Sequence, residues 1–212
     1  MATMLQILDF LGVAVFAVTG AIVASRLRLD CLAFVFFAVF TGVGGGTLRD
    51  LLLDAPVFWV ENEIYLVVCI AIGALMWFAT PLVERMSKPL RWADAMGLAA
   101  YSVMGAAKTL ALGHPPTVAV LMGVATATFG GIIRDTIADQ PSALVKPELY
   151  LTPAFVGAGV YVGLFTFGGV PAWPAAIAGA AAALVLRGGA IIRGWNLPAY
   201  TPPPDTPPSD KP

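Results

Sequence analysis

The segment TGVGGGTLRD at residues 41–50 has a counterpart, TATFGGIIRD, at residues 126–135. Each segment carries adjacent glycines and then an Arg-Asp pair in an otherwise apolar stretch. A glycine within a helix costs about 1 kcal/mol relative to alanine, and in lipid a broken backbone is tolerated only where protein buries it or where it lines a wet cavity. The two segments therefore predict glycine-interrupted, kinked helices, with close packing of helices through small residues as the alternative. The residues singled out are Gly44, Gly45, Gly46, Arg49, Asp50, Gly130, Gly131, Arg134 and Asp135.

The correspondence extends along the chain at one constant offset of 85 residues. The further identities at this offset are Asp9 with Asp94, Gly12 with Gly97, Gly20 with Gly105, Asp54 with Asp139, Pro56 with Pro141, Glu63 with Glu148, and Tyr65 with Tyr150. Chance would not hold one offset through so many polar, glycine and proline identities. We interpret this pattern as an internal duplication, which is a common architecture of transporters and channels.

The composition indicates an integral membrane protein. Hydrophobic residues make up 58% of the 212 residues and charged residues only 12%, and the mean hydropathy is +0.83. A bilayer core of roughly 30 Å needs about 20 apolar residues per helix. The predicted spans are Leu5–Ser25, Cys31–Leu53, Ile64–Val83, Trp92–Leu112, Thr117–Ala138, Leu149–Phe167 and Ala172–Leu186.

These spans predict an all-α membrane fold with seven transmembrane helices. Residues 1–86 form the first three-helix repeat and residues 91–170 the second, and residues 171–195 form a seventh helix outside the repeats. Because three is an odd number, the second repeat enters the membrane upside down relative to the first. Residues 196–212 are rich in proline and form a tail.

The basic residues predict the orientation. One side of the membrane would receive Arg26, Arg28, Arg85, Lys88, Arg91, Arg134, Lys146, Arg187, Arg193 and Lys211. The other side would receive only Arg49 and Lys108. By the positive-inside rule the N-terminus lies outside and the C-terminus in the cytoplasm.

Two arginines lie inside predicted spans, where a charge costs several kcal/mol unless it faces water or a partner. Arg49 and Arg134 either control the access of ions or have a structural role at the kinks. Adjacent helix positions point in different directions. We therefore expect that Asp50 and Asp135 do not simply neutralise the arginines, and Asp139 is a third candidate partner.

Four further polar residues have a candidate role or position. Lys108 lies near the outer end of the fourth span, as a functional-site candidate or as a lysine that snorkels to the surface. His114 is predicted in a loop. Asp9 and Asp94 are expected to open the first and fourth helices, where an acidic residue suits the N-terminus.

No pattern predicts enzymatic chemistry. There is one histidine, no His-Glu-x-x-His motif and no phosphate-binding Walker loop. Cys31 and Cys69 lack metal or redox spacing and are predicted to be buried small hydrophobes. The net charge of −1 gives no indication of nucleic-acid binding. We expect no catalytic residue, no metal and no cofactor.

The motifs resemble those of a known family. GGGTLRDLL at residues 44–52, followed by PVFW at residues 56–59, is similar to the first-repeat signature of prokaryotic trimeric intracellular cation channels, the TRIC family. GGIIRD at residues 130–135, followed by Pro141 and ELY at residues 148–150, resembles the second signature. The resemblance covers roughly residues 5–190.

The resemblance implies a homotrimer in a prokaryotic inner membrane, with a potassium-preferring cation pathway in each protomer around the kinked second and fifth helices. Eukaryotic members carry Lys-Glu-Val at the first kink, where this chain has glycines. Lys108 lies near the position at which animal members carry a voltage-sensitive basic residue. Expected partners are potassium or other monovalent cations, membrane lipids and further copies of the chain.

Two other functions stay open at this point. The same domain has been labelled a glycine transporter, and two basic residues at the kinks suit an amino-acid carboxylate as well as a gate. A non-conducting membrane scaffold is the third possibility. In the channel interpretation, Arg49 faces the outer mouth and Arg134 the cytoplasmic mouth, and we expect the two halves to be unequal.

Overall fold

The computed structural model describes residues 2–83, 89–144 and 149–198, and this part of the chain is predominantly helical. Its helices are α1 (Ala2–Arg26), α2 (Cys31–Leu52), α3 (Phe58–Glu61), α4 (Ile64–Val83), α5 (Pro89–Ala111), α6 (Pro116–Ile137), α7 (Leu151–Val162) and α8 (Ala172–Arg193). Helix α7 continues directly into a π-helical turn, Gly163–Phe167. The prediction of an all-α protein is confirmed.

Four of these helices are long and apolar enough to cross a membrane: α1, α2, α6 and α8. The stretches Ile64–Ala79 and Leu151–Phe167 are apolar but shorter. Helix α5 has the length of a span but carries Arg91, Asp94 and Lys108. These lengths and compositions agree with the prediction of a membrane protein, and the count of seven spans stays a prediction.

Helix α3 is an element that the sequence pattern does not predict. This single turn follows Pro56 and places Phe58 in the core. The predicted fourth to seventh helices are therefore α5 to α8.

The long helices pack as two groups of three. Helices α1, α2 and α4 contact one another, as do α5, α6 and α7. The groups meet where α1 crosses α5 and where α2 crosses α6, and α8 packs on α5 and α7.

The turns that end α2 and α6 have the same local geometry. Asp54 and Asp139 both adopt a left-handed backbone with φ of 50°. The adjacent backbone hydrogen bonds also correspond: Ala55 N–H to the Asp50 carbonyl and Gln140 N–H to the Asp135 carbonyl, each 2.9 Å. All of these pairs lie 85 residues apart, as the sequence repeat requires.

The glycine runs lie where α2 and α6 cross. A methyl group at Gly130 would stand 2.7 Å from the carbonyl oxygen of Thr41, and one at Gly45 would collide with the carbonyl oxygen of Thr126. Both helices are continuous through their glycines. The expectation that the glycines interrupt the helices is therefore wrong, because the small residues serve the close approach of two helices instead.

The crossing of α1 and α5 also depends on small residues. A methyl group at Gly97 would lie 3.0 Å from the ring of Phe16, and one at Gly12 would collide with the ring of Tyr101. The two rings are buried, with centroids 5.4 Å apart. The two glycines and the two rings that face them therefore form core packing between α1 and α5.

The structure also locates two aspartates, two cysteines and the histidine of the sequence analysis. Asp9 and Asp94 lie inside helices that begin at residues 2 and 89, so the expectation that they open these helices is wrong. Cys31 is exposed because it begins α2 at the surface, whereas Cys69 is buried as predicted. His114 lies in the loop between α5 and α6.

Several predicted features lie outside the described residues. They are the tail from residue 199 onward and the side chains of Arg85, Lys88, Lys146, Glu148 and Lys211.

Candidate functional site: two buried arginine–aspartate clusters

The first cluster lies at the end of α2. It consists of Arg49 and Asp50 of α2, Asp9 of α1, and Met104 and Lys108 of α5. Arg49 and Asp50 are completely buried. Three helices from both groups therefore contribute to one charged site in the interior.

Asp50 is the acceptor that holds the first cluster together. Its Oδ1 accepts a hydrogen bond from Arg49 Nε at 2.7 Å and lies 2.8 Å from Lys108 Nζ. Its Oδ2 accepts a hydrogen bond from the Phe58 backbone N–H at 3.0 Å. One carboxylate thus compensates two cations and also fixes the start of α3.

Arg49 pairs directly with Asp50, so the expectation that the adjacent aspartate does not neutralise the arginine is wrong. Adjacent helical positions do point apart, but the long arginine side chain reaches back to the neighbouring carboxylate, so the two ions lie 2.7 Å apart. Arg134 and Asp135 pair in the same way at 2.9 Å.

Lys108 takes part in the cluster rather than only extending to the surface. Its side chain is 20% exposed while its ammonium contacts the buried Asp50. The ammonium also lies 6.0 Å from the ring centroid of Phe58, and the guanidinium of Arg49 lies 5.8 Å from the same centroid. Both cations thus lie near this ring, which the negative face of an aromatic ring favours.

The remaining contacts of Arg49 are weaker. Its Nη1 donates to the Met104 sulfur at 2.9 Å and lies 4.0 Å from Asp9 Oδ1. Asp9 is buried, and this oxygen accepts no hydrogen bond from the described residues. The first cluster therefore holds two cations and two carboxylates, with Asp9 at the longer distance.

The second cluster lies at the end of α6 and repeats the central part of the first. Arg134 Nε donates to Asp135 Oδ1 at 2.9 Å. Asp135 Oδ2 accepts a hydrogen bond from the Ala143 N–H at 3.2 Å, which corresponds to the bond from Phe58 in the first cluster. Arg134 Nη1 bonds Asp94 at 3.2 Å, so here the second carboxylate is in direct contact.

A second cation beside Arg134 comes from outside the repeats. Arg187 of α8 donates to the Leu149 carbonyl at 2.8 Å, and its guanidinium lies 5.2 Å from the ring centroid of Tyr150. Arg187 therefore anchors the chain just before α7 and places its guanidinium beside the second cluster.

A cavity of about 280 Å³ opens beside the second cluster. The residues that line it are Arg26, Leu90, Arg91, Asp94, Arg134, Asp135, Gln140, Ala143 and Arg187. Four guanidinium groups and two carboxylates surround this space. It brings together basic residues from the ends of α1, α5, α6 and α8, all of which the positive-inside rule assigns to the same side.

The structure brings together some of the predicted site residues and separates others. Arg49, Asp50 and Lys108 form one cluster, Arg134 and Asp135 form the other, and the glycine runs lie at the helix crossing between them. Among the described ion pairs, Asp139 does not bind either arginine.

Sequence reasoning missed Asp9 and Asp94 as partners of the arginines. Their shared offset of 85 residues carried the signal, because a polar pair retained in the same register as Arg49 and Arg134 is a candidate for contact with them. No such signal marks Arg187, which has no counterpart in the repeat.

Comparison with known proteins identifies relatives over most of the chain. The family model described as glycine transporter matches it twice, at residues 6–81 and 91–166. A UPF0126 membrane protein of Vibrio cholerae is 36% identical over 204 residues, covering 93% of this chain and 83% of that protein. The UPF0126 inner membrane protein YadS of Escherichia coli K12 is 36% identical over 198 residues, covering 91% and 94%.

Solved structures have the same fold. The TRIC trimeric intracellular cation channel orthologue from Rhodobacter sphaeroides superposes with a TM-score of 0.88 at 42% identity, covering 91% of this chain and all of that chain. A second structure, of a TRIC cation channel studied for its conductance, gives a TM-score of 0.83 at 29% identity, covering 93% and 98%.

Proposed function

Because the chain belongs to the TRIC channel family, whose domain is also labelled glycine transporter, we propose that it is a homotrimeric channel for monovalent cations with a preference for potassium. Each protomer would hold its own pathway, in a prokaryotic inner membrane. The observation that carries this proposal is the superposition on the Rhodobacter sphaeroides channel, which includes the whole of that chain at 42% identity.

The proposed architecture is seven spans in two inverted three-helix repeats. Its support is the double match to one family model at the same 85-residue offset, the corresponding turns after α2 and α6, and the reciprocal contacts of Gly45 and Gly130 across the helix crossing. Helices α4, α5 and α7 complete the seven spans in this proposal.

The proposed gate consists of the α2–α6 crossing and the two clusters that flank it. Repulsion between a cation and an arginine 4 Å away rises from about 1 kcal/mol in water to about 4 kcal/mol at an effective dielectric constant of 20. Conduction therefore requires each arginine to be compensated, which Asp50 does for Arg49 and Asp135 with Asp94 does for Arg134.

The two mouths differ in this proposal. At the first cluster Lys108 lies on Asp50, so a second positive charge stands at the mouth. At the second cluster the cavity reaches Arg134 and Asp135. We propose that the present arrangement is closed at the first cluster and open to solvent at the second.

The orientation is part of the proposal. The first cluster would face the outside and the second the cytoplasm, because Arg26, Arg91 and Arg187 surround the second. Cysteine in place of Pro198 should be shielded from an impermeant thiol reagent in intact cells.

The glycine transporter is the second candidate function. The cavity presents guanidinium groups and carboxylates together, which suits the two charged ends of an amino acid. A transporter alternates access and saturates with substrate, whereas a channel conducts down a gradient.

Purified protein in liposomes separates the two functions. The channel proposal predicts a valinomycin-independent potassium flux that rises with the gradient, and no accumulation of labelled glycine above protein-free liposomes. Saturable glycine uptake without potassium flux would establish the transporter instead. Empty liposomes serve as the control.

A further inference from the structure

The C-terminal end of α8 forms a surface groove with the start of α5. Gly188 and Gly189 form its floor, Trp92 of α5 forms one wall, and Trp195 forms the other. We call this the tryptophan groove. Its volume is about 370 Å³, and it is separate from both arginine clusters.

The local sequence builds the second wall. Gly194 ends α8 in a left-handed conformation with φ of 68°, which glycine adopts without strain, and its N–H bonds the Ala190 carbonyl at 3.1 Å. This turn folds Trp195 back onto the helix, where a methyl group at Gly189 would collide with the indole. At Gly188 a methyl group would stand 3.4 Å from the Trp92 ring, an ordinary contact.

A positive charge lies at the mouth of the groove. The guanidinium of Arg193 lies 5.7 Å from the ring centroid of Trp195, and the side chain is exposed. Arg193 belongs to none of the ion pairs between described residues. Its charge is therefore available to an anion that approaches from the membrane surface.

Below this charge the groove is apolar. Val185 and Ile192 are exposed along it, and Val185 lies eight positions before Arg193. At 1.5 Å per residue this is about 12 Å of helix. The groove thus combines one cationic end with an apolar strip that is directed along a membrane-crossing helix.

We propose that the tryptophan groove binds a phospholipid with an anionic headgroup, whose phosphate contacts Arg193 and whose acyl chain lies between Trp92 and Trp195. Tryptophan is enriched at the level of lipid headgroups, which is where the end of α8 places this pair. Basic residues near the surface attract anionic lipids, and Arg91 adjoins Trp92 at this end of the molecule.

The test is native mass spectrometry of the intact assembly after titration with phosphatidylglycerol or phosphatidylcholine. Arg193→Gln should weaken the binding of phosphatidylglycerol about fivefold, since one basic residue near the surface contributes about 1 kcal/mol. Its matched control is Arg28→Gln, which removes the same charge from an exposed position beyond α1 and should change the affinity little. Gly188→Leu should weaken the binding of both lipids, because the side chain fills the groove.

Three results would overturn the proposal. Equal affinity for the two lipids in the wild type would mean that no headgroup is selected. Equal loss in Arg193→Gln and Arg28→Gln would mean a diffuse surface charge. Loss of the oligomer in Gly188→Leu or Arg193→Gln would make the groove a contact between copies of the chain. The readout is lipid binding and not conduction, so the proposal stands or falls independently of the channel function.

Discussion

The two clusters have the same core and different surroundings. In each, an arginine pairs with the next residue in the chain, and that aspartate also accepts a backbone N–H eight positions later. In the first cluster Lys108 completes the site and Arg49 has no solvent exposure. In the second, Asp94 contacts the arginine directly and a cavity opens beside it. The charge pair is thus the same in both clusters, whereas the neighbouring helices bury the first pair completely and leave a cavity beside the second.

The largest loss of stability is expected when the central carboxylate of a cluster is removed. Asp50→Asn should destabilise the protein by about 3–5 kcal/mol, because it leaves the buried Arg49 with only the more distant Asp9 and removes the partner of Lys108. Asp135→Asn should cost clearly less, since Arg134 retains Asp94 and lies beside a cavity. Thermal unfolding of the two variants in one detergent measures the difference. Equal loss would show that the surroundings of the pairs do not matter.

The helix crossing should tolerate little added volume. Gly130→Leu should cost about 1–3 kcal/mol through overpacking and should abolish potassium flux, since the side chain meets the Thr41 carbonyl. Gly159→Leu is the matched control, because nothing lies within 4 Å of that position. Flux and unfolding temperature are measured together. Wild-type flux in Gly130→Leu would remove the crossing from the proposed gate.

The smallest effect is expected for Lys108. Lys108→Gln should increase potassium flux and reduce its voltage dependence, since it frees Asp50 from one of two cations. One charge crossing the whole membrane gives about 2.3 kcal/mol per 100 mV, and Lys108 would cross only part of it. Single-channel recording measures the open probability against voltage. An unchanged curve would make Lys108 a structural partner of Asp50 only.

The sequence predicts the positions of the clusters better than their contacts. Repetition at one offset marked Arg49, Asp50, Arg134 and Asp135 without any structure. The contact of Lys108 with Asp50 joins helices far apart in sequence, and helix periodicity carries no information on such pairs.

Two expectations are wrong because they underestimate how far an arginine side chain reaches and how early two of the helices begin. Adjacent helix positions point in different directions, but the arginine side chain is long enough to reach the carboxylate of the next residue. Arg49 therefore pairs with Asp50 against expectation. The apolar pattern begins near Asp9 and Asp94, whereas the helices begin about two turns earlier for Asp9 and more than one turn earlier for Asp94.

We propose that the two arginines guard opposite mouths of one cation pathway. Single-channel recordings of Arg49→Ala and Arg134→Ala, inserted in one known orientation, test it most directly. Each variant removes a positive charge from one mouth only, so we expect rectification of opposite sign in the two variants, with the trimer intact by native mass spectrometry. Rectification of the same sign, or currents identical to wild type in both variants, would contradict it.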